Sequence, residues 1–475
     1  MCTLTEAACI TIHRILQLDA FKMPEDVTEF VLNIKYGFDG SGGHTMYNQI
    51  GNCSTNNMIL AMFCPLSVAT KDINDILWTQ NAPNSEFVQR PILIEMGKGS
   101  EENLQSLAHF NEDIRKLKIQ GLEINGKIFF VNIAATCLDR KAANIYLGIG
   151  GAYCDLCTYS KQQCCNESLV EEGFKIDRDI STMQQIFLDL VQDNGDLKRK
   201  PNDYPERAGQ TAQPIADYNV RSVQVLHALL RSFDHLMKVV IHLKAGVMYW
   251  TESKTDPSHQ FLEMEKRRLQ AKILEKTGIK WNFADSTGHS GNTTTGNVAR
   301  SLLYSEENRI LITEDITNTE LRSVLLQYAT DLSHILRVLS SGQKVNLEAY
   351  SKLCSDLYLL LIRKLPWVRI TPTIHKLLAH SAELIELNSS FGLKGWSEEG
   401  LESNIKRLRT IRLNLSRKNN QINNLTDIFK RLWLGSDPLV CGERVKGGVV
   451  CNTCKEVGHR SCKNKAADDL GYLFQ

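Results

Sequence analysis

The sequence predicts an α/β core joined to a large, mainly helical segment, and three observations carry that expectation. Four runs read as strands because they are apolar and partly alternating: Glu29 to Phe38, Asn57 to Cys64, Pro91 to Met96 and Lys127 to Ala135. Residues 216–395 instead carry apolar positions at helical spacing. A Cys pair before that segment, a His pair near its end and a Cys/His cluster after it then carry metal-ligand spacing. With 475 residues, 43% of them apolar, the chain can bury a large core and divide into two to four domains. The net charge of +1 does not announce a nucleic-acid binder, so any basic surface must be local. No run of apolar residues is long enough for a membrane span. The N-terminus lacks the basic start and apolar core of a signal peptide. Fourteen cysteines in such a chain point to a reducing compartment and to metal sites more than to a disulfide framework.

Taken in order, residues 4–22 read as a helix. The strand Glu29 to Phe38 ends in Asp39-Gly40-Ser41-Gly42-Gly43. A carboxylate at a strand end followed by glycines leaves room for metal and phosphate near the backbone. Asp-Gly is also a common hairpin turn, and the spacing alone leaves both readings open. Residues 106–118 read as a helix. The strand Lys127 to Ala135 is the strongest in the chain and delivers Asp139 just past its end, before a helix over Arg140 to Leu147. Two strands that each end in an Asp suit a two-metal phosphoryl-transfer site, where hard Mg²⁺ takes carboxylate and phosphate oxygens.

Cys154 and Cys157 form a C-x-x-C, half of a zinc site. Cys164-Cys165 lies nearby, but His375 and His380 offer a better-spaced second half. Read alone, a C-x-x-C can be redox-active and a His pair structural. Residues 166–215 are polar, with a loop at Lys198-Arg199-Lys200-Pro201. Helices are expected over Val220 to Trp250, where His227 and His235 read as packed core residues, then Glu263 to Thr277, Leu321 to Leu339 and Leu347 to Lys364. Asp285 to Asn297 is a loop rich in Gly, Ser, Thr and Asn, and Pro366 and Pro372 break the chain before the His pair.

Ser397-Glu398-Glu399-Gly400-Leu401-Glu402 opens a further helix. Ser397 can accept from first-turn N–H groups, and the acids suit that positive end. Behind it come Lys406, Arg407, Arg409, Arg412, Arg417 and Lys418 with no intervening acid. Ile405, Leu408, Ile411 and Leu415 give the helix an apolar seat. The run reads either as a solvated basic face or as a carboxylate held over a polyanion. A last amphipathic helix spans Ile422 to Leu434. Gly435-Ser436-Asp437-Pro438 then opens a tail whose Cys451, Cys454, His459 and Cys462 read as a second zinc site, the alternative being an unstructured Cys-rich tail.

These segments together resemble the Transib-type DNA transposases and the related catalytic subunit of the V(D)J recombinase, from about residue 28 to 435. The resemblance rests on their order: Asp39-Gly40; Pro83-Asn84-Ser85-Glu86; Phe129 to Asp139; Tyr153 to Cys157; Gly296-Asn297-Val298-Ala299-Arg300; His375 to His380; and Trp396 to Lys406. It implies an RNase H-like mixed-sheet core interrupted by a helical, zinc-binding insertion domain. The implied divisions are 1–28, an N-terminal helical remnant; 29–150, the core with both aspartates; 151–395, the insertion; 396–435, core helices with the Glu; and 436–475, the zinc-binding tail.

The resemblance further implies a catalytic triad of Asp39, Asp139 and Glu402 with Mg²⁺ or Mn²⁺, with Glu398 and Glu399 as rivals for the third place. It implies a Zn²⁺ held by Cys154, Cys157, His375 and His380, and DNA contacts from Asn297 and Arg300. Lys406, Arg407, Arg409 and Arg412 on the basic helix would hold phosphates. The implied activity is cut-and-paste transposition: nicking at terminal inverted repeats, hairpin formation on flanking DNA and joining of 3′ ends to target DNA. A nuclear homodimer without membrane association is the implied setting. Two other classes stand beside it, a domesticated or decayed transposase that binds DNA without cutting and a zinc-dependent interaction scaffold. The recombinase carries a dimerising, end-binding region upstream of its first Asp. Only 38 residues precede Asp39, so that region is expected to be missing or shortened.

Overall fold

A strand of thirteen residues, β1 (Glu29–Ser41), organises the first of two compact units, which comprises residues 1–151, 178–224 and 394–465. The computed structural model describes residues 3–41, 58–96, 109–138, 140–151, 153–160, 162–191, 209–215, 223–251, 253–282, 294–341, 343–387, 395, 397–417, 419–446 and 468–474. β1 pairs antiparallel with β2 (Met58–Thr70), where Asp39 faces Leu60. On its other side it pairs parallel with β6 (Lys127–Leu138), where Phe38 faces Leu138. β3 (Ile76–Thr79) and β4 (Arg90–Met96) share the far edge of β2, and β5 (Leu122–Ile124) closes the β6 side. The sheet is therefore mixed.

Alternation along β1 decides what each face buries. Phe30, Leu32, Ile34, Tyr36 and Phe38 pack in one core with α1 (Leu4–Leu16) and α2 (His109–Ile119). The opposite face is covered by α14 (Glu399–Asn414) and α15 (Gln421–Gly435). There Met58, Leu60, Met62 and Cys137 of the sheet meet Leu401, Ile405, Leu408, Ile411, Ile428 and Leu432. Each of these fully buried Leu and Ile side chains contributes about 1.5–3 kcal/mol, so α14 is held by its i, i+4 apolar row.

Gly37 lies in the middle of β1 because nothing larger fits. A Cβ there would sit 2.4 Å from the Cys137 carbonyl oxygen and 2.6 Å from the Cys137 Cβ. Gly37→Ala is expected to cost about 1–3 kcal/mol by forcing β1 and β6 apart. Urea unfolding checks this, and an unchanged midpoint would mean that the strands give way freely.

Several expected boundaries move. α1 stops at Leu16 because Gln17 and Leu18 donate back to carbonyls only three residues away, which turns Phe21 into the core. The polar stretch after residue 166 contains α4 (Glu167–Glu172) and α5 (Ile180–Leu190), with Met183 in the first unit's core. The expected tail begins with a helix, α16 (Pro438–Lys446). Asp437 accepts from the Leu439 N–H at 3.0 Å, and Pro438 takes the first helical position, a start signal that also resembles a turn. The expected second zinc residues Cys451, Cys454, His459 and Cys462 lie outside the described residues.

The second unit comprises residues 152–177, 225–393 and 466–475, so residues 178–224 fall with the sheet and not with the expected insertion. Its long helices are α6 (Val225–Lys244), α7 (His259–Thr277), α10 (Thr319–Ser341) and α11 (Leu347–Lys364). His235 is a core residue, bonded to Tyr328 Oη at 2.8 Å and to the Arg369 carbonyl at 2.9 Å. The chain's end belongs here as well: Leu470 and Leu473 are buried, and Asn346 donates to the Leu473 carbonyl. No helix among the described residues is long and apolar enough to cross a membrane.

Candidate active site and metal centre

Of the carboxylates expected to do chemistry, Asp39 and Glu402 both border the core beneath α14. Asp39 is half-buried at the C-terminal end of β1, and its register partner Leu60 belongs to the core beneath α14. Asp39 Oδ1 accepts from the Gly40 N–H at 2.7 Å. A Cβ built on Gly40 would meet nothing within 4 Å among the described residues. Asp139 lies outside the described residues. Its neighbour Leu138 pairs with Phe38, and Cys137 points into the α14 core. The parallel pairing of β1 with β6 thus closes at Phe38 and Leu138, one residue before Asp39, while β1 itself runs on to Ser41 against β2.

Glu402 is half-buried on the first turn of α14, next to Leu401 of that core. Its N–H bonds to the Glu398 carbonyl at 3.0 Å, the first helical rung. Glu398 takes the N-cap position and Ser397 lies one residue earlier, where its Oγ accepts from the Glu399 N–H at 3.3 Å. Glu398 is only 3% exposed, whereas Glu399 is half-buried. The donor set of half-exposed carboxylates fits a hard divalent ion.

The basic helix face is narrower than its sequence suggests. Lys406 and Arg409 are exposed. Arg412 is buried instead, with Nη1 3.2 Å from Met58 Sδ, because the apolar seat turns this side of α14 inward. Arg407 lies with its guanidinium carbon 4.7 Å from the Phe87 ring centre. In the second unit, Asn297 is exposed and Arg300 half-buried on α8 (Gly296–Tyr304), which Thr295 caps.

The Cys and His pairs do converge. Ligand atoms of Cys154, Cys157, His375 and His380 lie within 4.8 Å of one another, and all four residues are buried. The backbone explains the histidines. α12 (Pro372–His375) runs into a π turn over Lys376–His380. Residues five apart share a face in a π turn but not in an α-helix, and such turns cluster at functional sites. Both ring nitrogens of His380 are buried without a hydrogen-bond partner. Cys157 Sγ stands 3.2 Å from His375 Nε2.

The neighbours set the charge state. Tyr358 Oη donates to the Cys164 carbonyl at 2.8 Å, so it accepts from His375 Nδ1 at 2.9 Å and leaves Nε2 a lone pair facing the cysteines. Burial pulls the His375 imidazole down to about 4, so it is neutral at neutral pH. Burial opposes ionisation of Cys154, yet Cys157, His380 and His375 together bring its thiol well below the ordinary value. Burial, reinforced by Cys154, pushes the Cys164 thiol up to about 12, so Cys164 stays a neutral neighbour. Two sulfurs and two imidazoles in a closed, buried set suit structural Zn²⁺. Lys376 and Asp155 form a buried ion pair at 2.6 Å that ties the two ligand pairs together. Neither Tyr358 nor this ion pair was legible as part of a site. Asp155 lies between the cysteines and Lys376 follows His375, and adjacency to ligands was the one signal available.

No curated protein matches the chain. Residues 31–152, about a quarter of the chain, match the family profile described as the Recombination-activation protein 1 (RAG1) RNase H domain. That segment holds β1 to β6, and its parallel β1–β6 pair flanked by antiparallel β2 is the mixed sheet expected of it. Residues 31–152 are thus an RNase H domain of the recombination-activation protein 1 type, and through this domain the chain is related to that recombinase.

Proposed function

We propose that the chain is a Transib-type cut-and-paste DNA transposase, with Asp39, Asp139 and Glu402 as its catalytic carboxylates. The observation that supports this most is that the β1–β6 pairing closes at Phe38 and Leu138, beside Asp39, whose partner Leu60 shares a core with Leu401 of the helix that carries Glu402. The three carboxylates would hold two Mg²⁺ or Mn²⁺ ions, which when bound stabilise the attacking and leaving oxygens of in-line displacement. The chain's own residues orient the DNA. Lys406 and Arg409 lie on the exposed side of the same helix and would grip phosphates, which positions DNA without reading its sequence. Arg409→Glu is expected to weaken binding to all duplexes alike and to lower the salt slope by about one. A loss confined to one sequence would mean base readout instead.

The reaction sequence read here is nicking at a terminal inverted repeat, hairpin formation on the flank and joining of 3′ ends to target DNA. The working form is a homodimer acting in the nucleus. Zn²⁺ on Cys154, Cys157, His375 and His380, and on Cys451, Cys454, His459 and Cys462, serves structure. The test is incubation of the purified protein with a nicked terminal-repeat duplex in Mn²⁺. Hairpins and joined products support the transposase. Salt-sensitive binding without cutting would replace it with a DNA-binding protein descended from one. Neither binding nor cutting would leave an interaction scaffold.

A further inference from the structure

Lys35 is a charged residue in the middle of a buried strand, only 2% exposed. An ammonium group carries three donors, and all three are used. Lys35 Nζ donates to the Pro83 carbonyl at 2.8 Å, to Asn84 Oδ1 at 3.0 Å and to the Ser397 carbonyl at 2.9 Å. The first two acceptors precede the 3₁₀ turn Glu86–Val88, and the third leads into α14. Lys35 lies two same-face positions before Asp39, and Ser397 lies five residues before Glu402. One side chain therefore spans the elements that bear two of the proposed carboxylates.

The seat around it leaves α14 little room to move. Gln89 Nε2 donates to the Pro83 and Ser85 carbonyls, and the Gln89 carbonyl accepts from Asn404 Nδ2 on α14 at 3.3 Å. The same Gln89 side chain fills the space that a Cβ on Gly400 would need, 2.5 Å from Nε2. A clamp used only for stability could be apolar, since well-packed hydrophobic groups often match a buried charge in stability. What the ammonium adds is direction: three bonds fix the start of α14 in rotation as well as in height.

We propose that Lys35 is a positioning residue, which sets the first turn of α14 and so the place of Glu402 opposite Asp39. This rests on the reading of those carboxylates as the metal-binding set. Lys35→Met keeps the stem and removes the three bonds. Amide exchange across residues 400–404 should then rise about tenfold while the rest of the sheet stays protected. Half-saturation by Mn²⁺ alone, followed by electron paramagnetic resonance without DNA, should shift upward about tenfold. The same change made on a Glu402→Gln background should add nothing further, because the carboxylate it serves is gone.

Unchanged exchange at residues 400–404 overturns the clamp whatever the enzyme does. A Mn²⁺ shift as large in the Glu402→Gln background as in the wild type reduces Lys35 to a stability residue and overturns the positioning. Wild-type protein that neither binds Mn²⁺ nor cuts DNA sinks the enzyme reading, and the exchange measurement still decides the clamp. If Lys35→Met does not fold, Asn84→Ala removes one acceptor and leaves the ammonium. A smaller shift of the same kind supports the proposal, and none overturns it.

Discussion

Asp39→Asn and Glu402→Gln should each abolish DNA nicking and strand joining, by about a thousandfold or more, with folding and DNA binding nearly intact. A thousandfold loss corresponds to about 4 kcal/mol of barrier. That is the scale expected when a neutral amide replaces an anionic ligand to ions that stabilise the transition state by several kcal/mol. Stability should hardly move, because neither side chain is a core residue. Both are half-buried, and the neighbours Phe38 and Leu401 do the packing. Asn at 39 keeps an oxygen for the Gly40 N–H. Removing one of several carboxylates that repel one another can even stabilise the metal-free protein slightly. Glu398 and Glu399 are the internal controls. Glu398 is nearly fully buried at the N-cap position, whereas Glu399 and Glu402 share the exposure a ligand needs. If Glu399→Gln stops nicking in Mg²⁺ and Glu402→Gln does not, the third carboxylate lies one turn earlier. If none of the changes affects cleavage, the transposase reading goes.

The parts of this arrangement that could be read beforehand are those whose cause is local. β1 and β6 are long, apolar and rich in β-branched and aromatic residues, and both were expected within a few residues of where they stand. α11 begins at Leu347 and ends at Lys364 as its periodicity requires. β3 and β5, at four and three residues, are too short to show a period, and their partners in the sheet define them. Non-local causes were not legible. A lysine in a strand reads as solvent-facing, and Lys35 is buried because its acceptors come from 48 and 362 residues away. Arg412 looked like one more phosphate ligand, and its burial follows from which side of α14 meets Met58. The His pair had the right residues, but an α-helical turn would have splayed them. Only the π backbone over Lys376–His380 aims both at one point.

Removing metal from the Cys154–Cys157–His375–His380 centre should unfold the second unit and spare the first. The four ligands come from segments separated by more than two hundred residues, so a bound ion would close a very long loop. Structural zinc contributes about 10–16 kcal/mol in small zinc domains, which is as large as the whole stability of an ordinary domain, about 5–15 kcal/mol. Chelation, Cys157→Ser or His380→Ala should therefore abolish the unfolding transition of this unit, seen as lost amide protection in α10 and α11. The sheet unit should remain protected. Tyr358→Phe should be milder. It frees His375 to take the wrong tautomer, which weakens zinc binding about 10–100-fold while the ligands remain. The metal count needs care, because Cys451, Cys454, His459 and Cys462 are expected to hold a second ion. Truncating the tail is the wrong way to remove it. Leu470 and Leu473 are buried in the second unit and Leu473 bonds to Asn346, so a truncation would damage the unit under test. Cys451→Ser with Cys454→Ser removes the tail ligands alone. That variant should retain one zinc per chain, and adding Cys154→Ser should remove it. Zinc retained in the combined variant, or a second unit that stays protected after chelation, would show that the four buried side chains are a packed cluster and not a metal centre.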